Sequence, residues 1–275
     1  MEDLVVARKT QREELNVYRR ADIVLAVSEA EKRYLEHFKL KTRLEVVPLI
    51  HKPAKVLGEV TSRLECDMVF VGNFEHTANG DAMVYFCSEV FPIIKKDIPH
   101  ARLRIVGNAP PSEVKRLAGG GVEVLGYVPE LQDVYELSNI AIAPLTWGAG
   151  LKGKIAGAMA AGLPVVTTSV GIDGFDLSPG KNVLVGDTPK QFADAVNRLW
   201  QDNKLYQTIR TNGWEFIRDH YSIGPVTSHI SELFRNLEQY SVKRLSLAKR
   251  VRRAVPVLLE RHLLWRFQQQ RRNSV

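Results

Sequence analysis

The amino-acid sequence predicts an α/β fold, a Rossmann-like parallel sheet with helices on both faces, followed by a helical C-terminal tail. Two observations carry this. From Asp67 onward, short apolar runs alternate with segments of helical patterning, so each connection reads as a right-handed crossover between parallel strands. Four of those runs end in glycine-bearing turns, namely Gly72-Asn73, Gly107-Asn108, Gly126-Tyr127 and Trp147 to Gly150. In such sheets ligands sit beyond the carboxyl ends of the strands, where these turns would lie.

Taken in order, residues 3–20 read as a charged helix and Ile23 to Val27 as a short buried strand. Ser28 with Glu31 three residues on is a capping-box pattern, so a helix is expected over about 29–38, then a strand from Arg43 to Val47. Pro48 to Leu64, with Pro48, Pro53 and Gly58, reads as a linker. The alternation then gives a strand at Met68 to Val71, a helix over about 80–96, a strand at Arg102 to Val106 and a helix from Ser112 to Ala118. A strand at Val122 to Leu125 passes through Gly126-Tyr127-Val128-Pro129 into a short helix, Leu131 to Leu137. Later, Asn182 to Val185 reads as a strand, and Thr188-Pro189 opens a helix with Thr188 as cap and Gln191 closing the box. The domains expected are 1–50, 51–240 and the tail 241–275.

Residues 140–172 organise the rest. A buried strand, Ile140 to Ala143, runs into a loop with Gly148, Gly150 and Gly153, then a helix of small residues that Gly162 ends before Pro164 opens another strand. Glycines let a backbone approach a ligand closely, and a helix start presents free N–H groups and a positive dipole end. Lys152 and Lys154 add two charges there. These features fit a seat for a diphosphate; they fit equally a tight strand-helix connection with two solvated lysines.

Composition narrows the class. Hydrophobic residues make up 45% of the chain, which indicates a globular protein. Cys66 and Cys87 have no metal-like spacing and read as free thiols in a reducing compartment. No apolar segment of signal length stands at residues 1–10, and the uncharged stretch 155–172 is broken by Gly162 and Pro164, so a cytoplasmic location is expected. No Gly-x-Gly-x-x-Gly follows a strand and no Walker sequence occurs, which argues against a nicotinamide dehydrogenase or a P-loop enzyme. The histidines lack metal-ligand spacing, and no carboxylates form a convincing acid/base pair, so no catalytic residue is assigned.

The central stretch resembles the donor-site signature of the family 4 (group 1) glycosyltransferases of GT-B fold, close to "Gly-x-Lys-x-Lys-x-Leu-Glu-Ala-Met-Ala-Ala-Gly-x-Pro-Val-Val-x-Thr". Lys152, Lys154, Ala158 to Gly162, Pro164, Val165, Val166 and Thr168 stand as that pattern wants. Further matches are Tyr18 to Glu29, Phe70-Val71-Gly72-Asn73-Phe74 and Gly126-Tyr127-Val128-Pro129, and the likeness covers about 15–240. It implies one half of a GT-B enzyme, a nucleotide-sugar-binding domain preceded by the end of an acceptor domain whose groove and catalytic histidine this chain does not hold. The donor-binding residues it implies are Gly72, Asn73, Tyr127, Val128, Gly148, Gly150, Lys152, Gly153 and Lys154. It implies no cofactor and no metal, the nucleotide diphosphate sugar being the substrate.

Four positions depart from the family. Gly157 and Ala149 replace the two glutamates, the first of which holds the donor's ribose in the family, and Asn73 and Asn79 replace an arginine and a lysine that grip the diphosphate. Phosphate binding would therefore rest on backbone N–H groups, Lys152 and Lys154. Trp147 suits stacking on a donor ring or plain packing, and His76 reads as a solvated loop residue. Two functions stay open. One is a retaining transferase moving a sugar from a nucleotide donor to an acceptor; the other is a non-catalytic module, pairing with a separate acceptor domain. Nucleic acid is not expected as a partner, because the basic residues lie on one helix without an aromatic-studded sheet.

That helix is the tail. The net charge of +7 is concentrated there: residues 241–275 hold ten Lys/Arg against Glu260 alone, and the rest of the chain carries −2. Leu247, Val251, Val255, Leu258 and Trp265 recur at helical spacing, with Pro256 as a kink. Residues 243–272 thus suit either a peripheral anchor on an anionic membrane surface or a helix packed on protein. The anchor predicts that the full chain sediments with anionic vesicles at low salt, progressively less as salt rises, and that a chain ending at Tyr240 does not. Equal sedimentation of the two would assign the tail to packing.

Overall fold

The computed structural model describes residues 2–58, 65–148 and 150–238, so the tail and Ala149 lie outside the described residues. The described residues form two units, 2–49 with 226–238, and Ile50–Pro225. Residues 226–238 therefore group with the N-terminal segment, whereas the sequence places them with 51–240.

In the smaller unit, α1 (Glu2–Tyr18) is followed by β1 (Ile23–Ala26), α2 (Glu29–Glu36) and β2 (Arg43–Val46). The strands pair in parallel, Ile23 opposite Arg43. The Ser28 hydroxyl accepts from the Glu31 N–H at 3.2 Å, as expected of the cap. The reciprocal half of the box is displaced by one residue, the Glu31 carboxylate accepting from the Val27 N–H at 3.0 Å rather than from Ser28. Two donors at the helix start are satisfied either way.

The larger unit runs β3 (Asp67–Val71), α3 (Thr77–Tyr85), a π turn (Phe86–Val90), α4 (Phe91–Asp97), β4 (Arg102–Val106), α5 (Ser112–Lys115), β5 (Val122–Gly126), α6 (Leu131–Glu136) and β6 (Ile140–Ala143). It continues with α7 (Gly153–Ala160), β7 (Val165–Thr167), α8 (Ser169–Ile172), β8 (Leu184–Val185), α9 (Pro189–Gln201) and α10 (Asn203–His220), after which α11 (Ile223–Glu238) begins. Six strands lie in the order β5-β4-β3-β6-β7-β8, every pair parallel.

Alternation along the strands divides the core between the two faces. Met68, Phe70, Leu103, Ile105, Ile140, Ile142 and Val166 point to a cluster completed by Phe86, Ile94 and Phe192, from the π turn, α4 and α9. Their neighbours Val69, Val106, Ala141, Ala143 and Val165 point to a second cluster with Ile155 and Met159 of α7 and Ile217 of α10. Because both faces are covered at the middle of the sheet, β3, β6 and β7 read as nearly unbroken apolar runs, whereas β4 and β5 toward the edge alternate.

Several elements differ from expectation for identifiable reasons. The helix expected over about 80–96 starts at Thr77 and is widened by the π turn. Pro92 has no N–H for the carbonyl one turn back and its ring crowds that position, so the helix loosens just before it. The strand expected from Asn182 shortens to Leu184–Val185, because the Asn182 side chain accepts from the Ser178 N–H at 2.9 Å and holds its residue in a turn. At Thr188 the full capping box with Gln191 forms. Within the expected linker, His51 and Ala54 donate backbone N–H groups to Tyr221 and Ala160, and buried Arg210 donates to the carbonyls of Gly58 and Gly162.

The turns after β3 and β4 brace each other. Gly72 donates to Val106 O at 2.9 Å and Phe74 to Asn108 O at 3.1 Å. Gly107, at φ +156°, sits where an added Cβ would run into the Gly72 carbonyl. Gly107→Ala is therefore expected to destabilise the chain by about 2 kcal/mol or more, through collision and an unfavourable backbone region together. Urea unfolding of the two proteins measures it.

Candidate functional site

The strand order creates the site. From β3 the chain steps outward through β4 to β5, then crosses back to lay β6 on the opposite side of β3. The loops after β3 and β6 consequently diverge, leaving a crevice at the carboxyl edge where the order reverses. A cleft of about 590 Å³ opens there. One wall is the turn after β3 and the start of α3, another is the loop after β6 with the first turns of α7, and Leu131 and Tyr135 of α6 form a third.

Of the nine expected site residues, Gly72, Asn73, Gly148, Lys152, Gly153 and Lys154 line this cleft. Gly150 is not among the lining residues; its carbonyl accepts from Lys152 at 2.5 Å. Tyr127 and Val128 do not line it either, because β5 lies two strands away from β3, at the sheet edge. Tyr127 is exposed, and Val128 packs against the second core cluster. Exposed His76 does line the cleft, as does Trp147, whose indole N–H donates to Asp81 at 3.1 Å.

Two residues matter that the sequence reading did not single out as ligands. Asn79, replacing the family's lysine, is buried and ties the site together, its amide donating to the Asn73 carbonyl at 2.6 Å. The same amide carbon would be only 2.9 Å from a Cβ at Gly72, so the glycine is required for this approach. Tyr135 is the other; its phenol lies 3.4 Å from where a Cβ at Gly157 would be. Its signal in the sequence is its place on the short helix behind Gly126-Tyr127-Val128-Pro129, but only the fold brings it to α7.

Both lysines are drawn inward. Lys152 is buried and donates to the carbonyls of Gly148 and Gly150, closing the glycine loop on itself. Burial lowers its pKa, and Asp173 partly offsets this. The Lys154 ammonium donates to the Asn79 side-chain oxygen and lies 4.7 Å from the centroid of the Phe70 ring. Burial, with Lys152 nearby, pushes its pKa down to about 7. This corrects the picture of two solvated lysines. No side chain caps the opening turn of α7, so its first N–H groups and positive dipole end lie beside the two lysines at the helix start. No carboxylate stands among the described residues lining the cleft.

Sheet and cleft together define an α/β domain with a crevice at the carboxyl edge of its sheet, lined among the described residues by two lysines and no carboxylate. Residues 65–202 match the family described as Glycosyl transferases group 1, and the chain belongs to that family. A protein of the cps region of Klebsiella pneumoniae, itself uncharacterized, is 28% identical over 174 residues, which cover 60% of this chain and 45% of that protein. Among solved structures, sucrose-phosphate synthase of Thermosynechococcus elongatus superposes with TM-score 0.64 at 21% identity, over 82% of this chain and 60% of its own. HepE of Anabaena, solved with UDP and glucose, gives 0.64 at 16% identity, over 83% and 66%. A TarM mutant of S. aureus, solved with UDP among its ligands, gives 0.67 at 17% identity, over 84% and 47%. The fold is thus one half of the GT-B architecture, and the chain spans less than two thirds of each of these proteins.

The Lys154 environment has a measurable consequence. Its folded pKa is about 7 against an ordinary 10.5, so between those values the unfolded chain binds more protons and stability rises with pH. Raising pH from 7 to 8.5 should raise the denaturation midpoint. In Lys154→Met that part of the slope should vanish. Parallel slopes in the two proteins would contradict the buried environment.

Proposed function

We propose that the cleft between β3 and β6 binds the diphosphate of a nucleotide-sugar donor, and that the chain supplies the donor half of a retaining glycosyltransferase whose acceptor groove comes from elsewhere. The observation that carries the reading is the convergence of Lys152, Lys154 and the uncapped start of α7 on one cleft lined by no carboxylate. Such a site attracts a multiply charged anion. During transfer the bond between the sugar's anomeric carbon and the diphosphate oxygen breaks. The negative charge gathering on the departing diphosphate would meet the α7 N–H groups and the Lys152 ammonium. A diphosphate beside it would also favour the protonated form of Lys154, whose pKa burial and Lys152 bring down to about 7.

A second reading is favoured by particular observations: both lysines already have protein partners, and no carboxylate among the described residues lines the cleft. On that reading the domain binds a nucleotide without turning it over, as a non-catalytic partner of a separate acceptor domain. Detectable sugar transfer by the pure chain would remove this second reading.

UDP, present in the HepE and TarM crystals, is the first ligand to try. Calorimetric titration at pH 6.5 should show weak binding, on the order of tens to hundreds of micromolar. Lys152→Ala should cost roughly tenfold or more, the loss of a charge-assisted contact of about 1.5–3 kcal/mol. No heat with UDP, GDP or ADP at millimolar concentration would overturn the reading.

A further inference from the structure

The wall of the cleft that would face a nucleoside has an unusual chemistry. Gly153 and Gly157 are one turn apart on the same face of α7, about 6 Å along its axis. That is roughly the step from a diphosphate to the sugar ring of its nucleoside, so a diphosphate at the α7 start puts the ring over Gly157. Gly157 brings no side chain, and beyond it stand Leu131 and Tyr135 of α6. A vicinal diol is held selectively by a carboxylate, which accepts from both hydroxyls at once. None lines this cleft among the described residues: Glu75 is engaged by the Asn73 amide and Asp81 by Trp147.

Beside Gly157 itself the group that remains is one neutral hydroxyl. Tyr135 is only 7% exposed, and its phenol makes no hydrogen bond to a described residue, yet the side chain reaches the cleft beside Gly157. The hydroxyl oxygen is reachable from the cleft, so a ring hydroxyl seated beside Gly157 can pair with it. Burial lifts its pKa to about 12, so at neutral pH it stays a protonated phenol that makes single, uncharged hydrogen bonds.

We infer that this site recognises the nucleoside's sugar through the Tyr135 hydroxyl alone and does not select for the 2′-hydroxyl, so that 2′-deoxyribonucleoside diphosphates are ligands on a par with ribonucleoside ones. The inference rests on the nucleotide-binding reading above and extends it to a class of donor. One phenol satisfied by one ring hydroxyl leaves nothing buried and unpaired when the 2′-hydroxyl is absent, and it is such unpaired groups that give strong discrimination.

The test is titration of the full chain with matched pairs, UDP with 2′-deoxy-UDP and GDP with 2′-deoxy-GDP. Affinities within about threefold in each pair are expected. Tyr135→Phe should weaken both members of a pair by a similar factor, and it should fold, because the phenol has no described hydrogen-bond partner to lose. Gly157→Glu, which puts a carboxylate beside the ring, should favour the ribonucleotide by tenfold or more. A ribonucleotide preference above tenfold in the unaltered chain overturns the inference while leaving the nucleotide reading intact. So does a Tyr135→Phe loss confined to the ribonucleotide. Absence of binding by every member of both pairs overturns both readings.

Discussion

Everything about this site follows from one topological constraint. Parallel strands need long crossovers, and because each is right-handed its helix covers one face when strands are added in one direction and the opposite face when the direction reverses. The chain makes that reversal once, between β5 and β6, passing back over β4 and β3. The helices after β3 and β6 must then diverge, and no side chain of the core can fill the gap between them at the carboxyl edge. The cleft is the cost of the order β5-β4-β3-β6-β7-β8, not of any one residue.

Within that gap, a short polar chain joins elements far apart in sequence. Lys154, on α7, donates to Asn79, on α3, and Asn79 donates to the carbonyl of Asn73 in the turn after β3. The two walls of the cleft are thereby held by one buried ammonium and one amide. A lysine at 79 would repel Lys154 here, whereas an asparagine accepts from it with one end of its amide and donates with the other. The replacement that removes a phosphate-gripping charge in the family's terms creates the internal link instead. Local stability is tied to pH through it, since burial brings the Lys154 pKa down to about 7.

The GT-B half and its membership in the group 1 glycosyltransferases were legible from spacing and wording: glycine turns after successive apolar runs, and the stretch from Lys152 to Thr168. So were individual caps, because a cap depends on residues three positions apart, as at Thr188 and Gln191. The misplaced features turn on how such local groups are used once the chain packs. The π turn answers to Pro92 and to packing around Phe86, and Asn182 leaves the strand to bond a backbone group in its own turn.

The site divides in the same way. Sequence alone determined that Gly72, Gly148, Lys152, Gly153 and Lys154 belong at strand ends and a helix start, since short-range pattern fixes where turns fall. Only the tertiary structure decided which strand ends meet. It seated β5 at the sheet edge, which takes Tyr127 and Val128 out of the cleft's lining, and it brought Tyr135 to within contact of Gly157. It also decided the state of the lysines, because burial and partners, not residue type, set whether an ammonium is a free charge or a structural tie. Strand order and desolvation are properties of the assembled sheet, and no local stretch of sequence encodes either one.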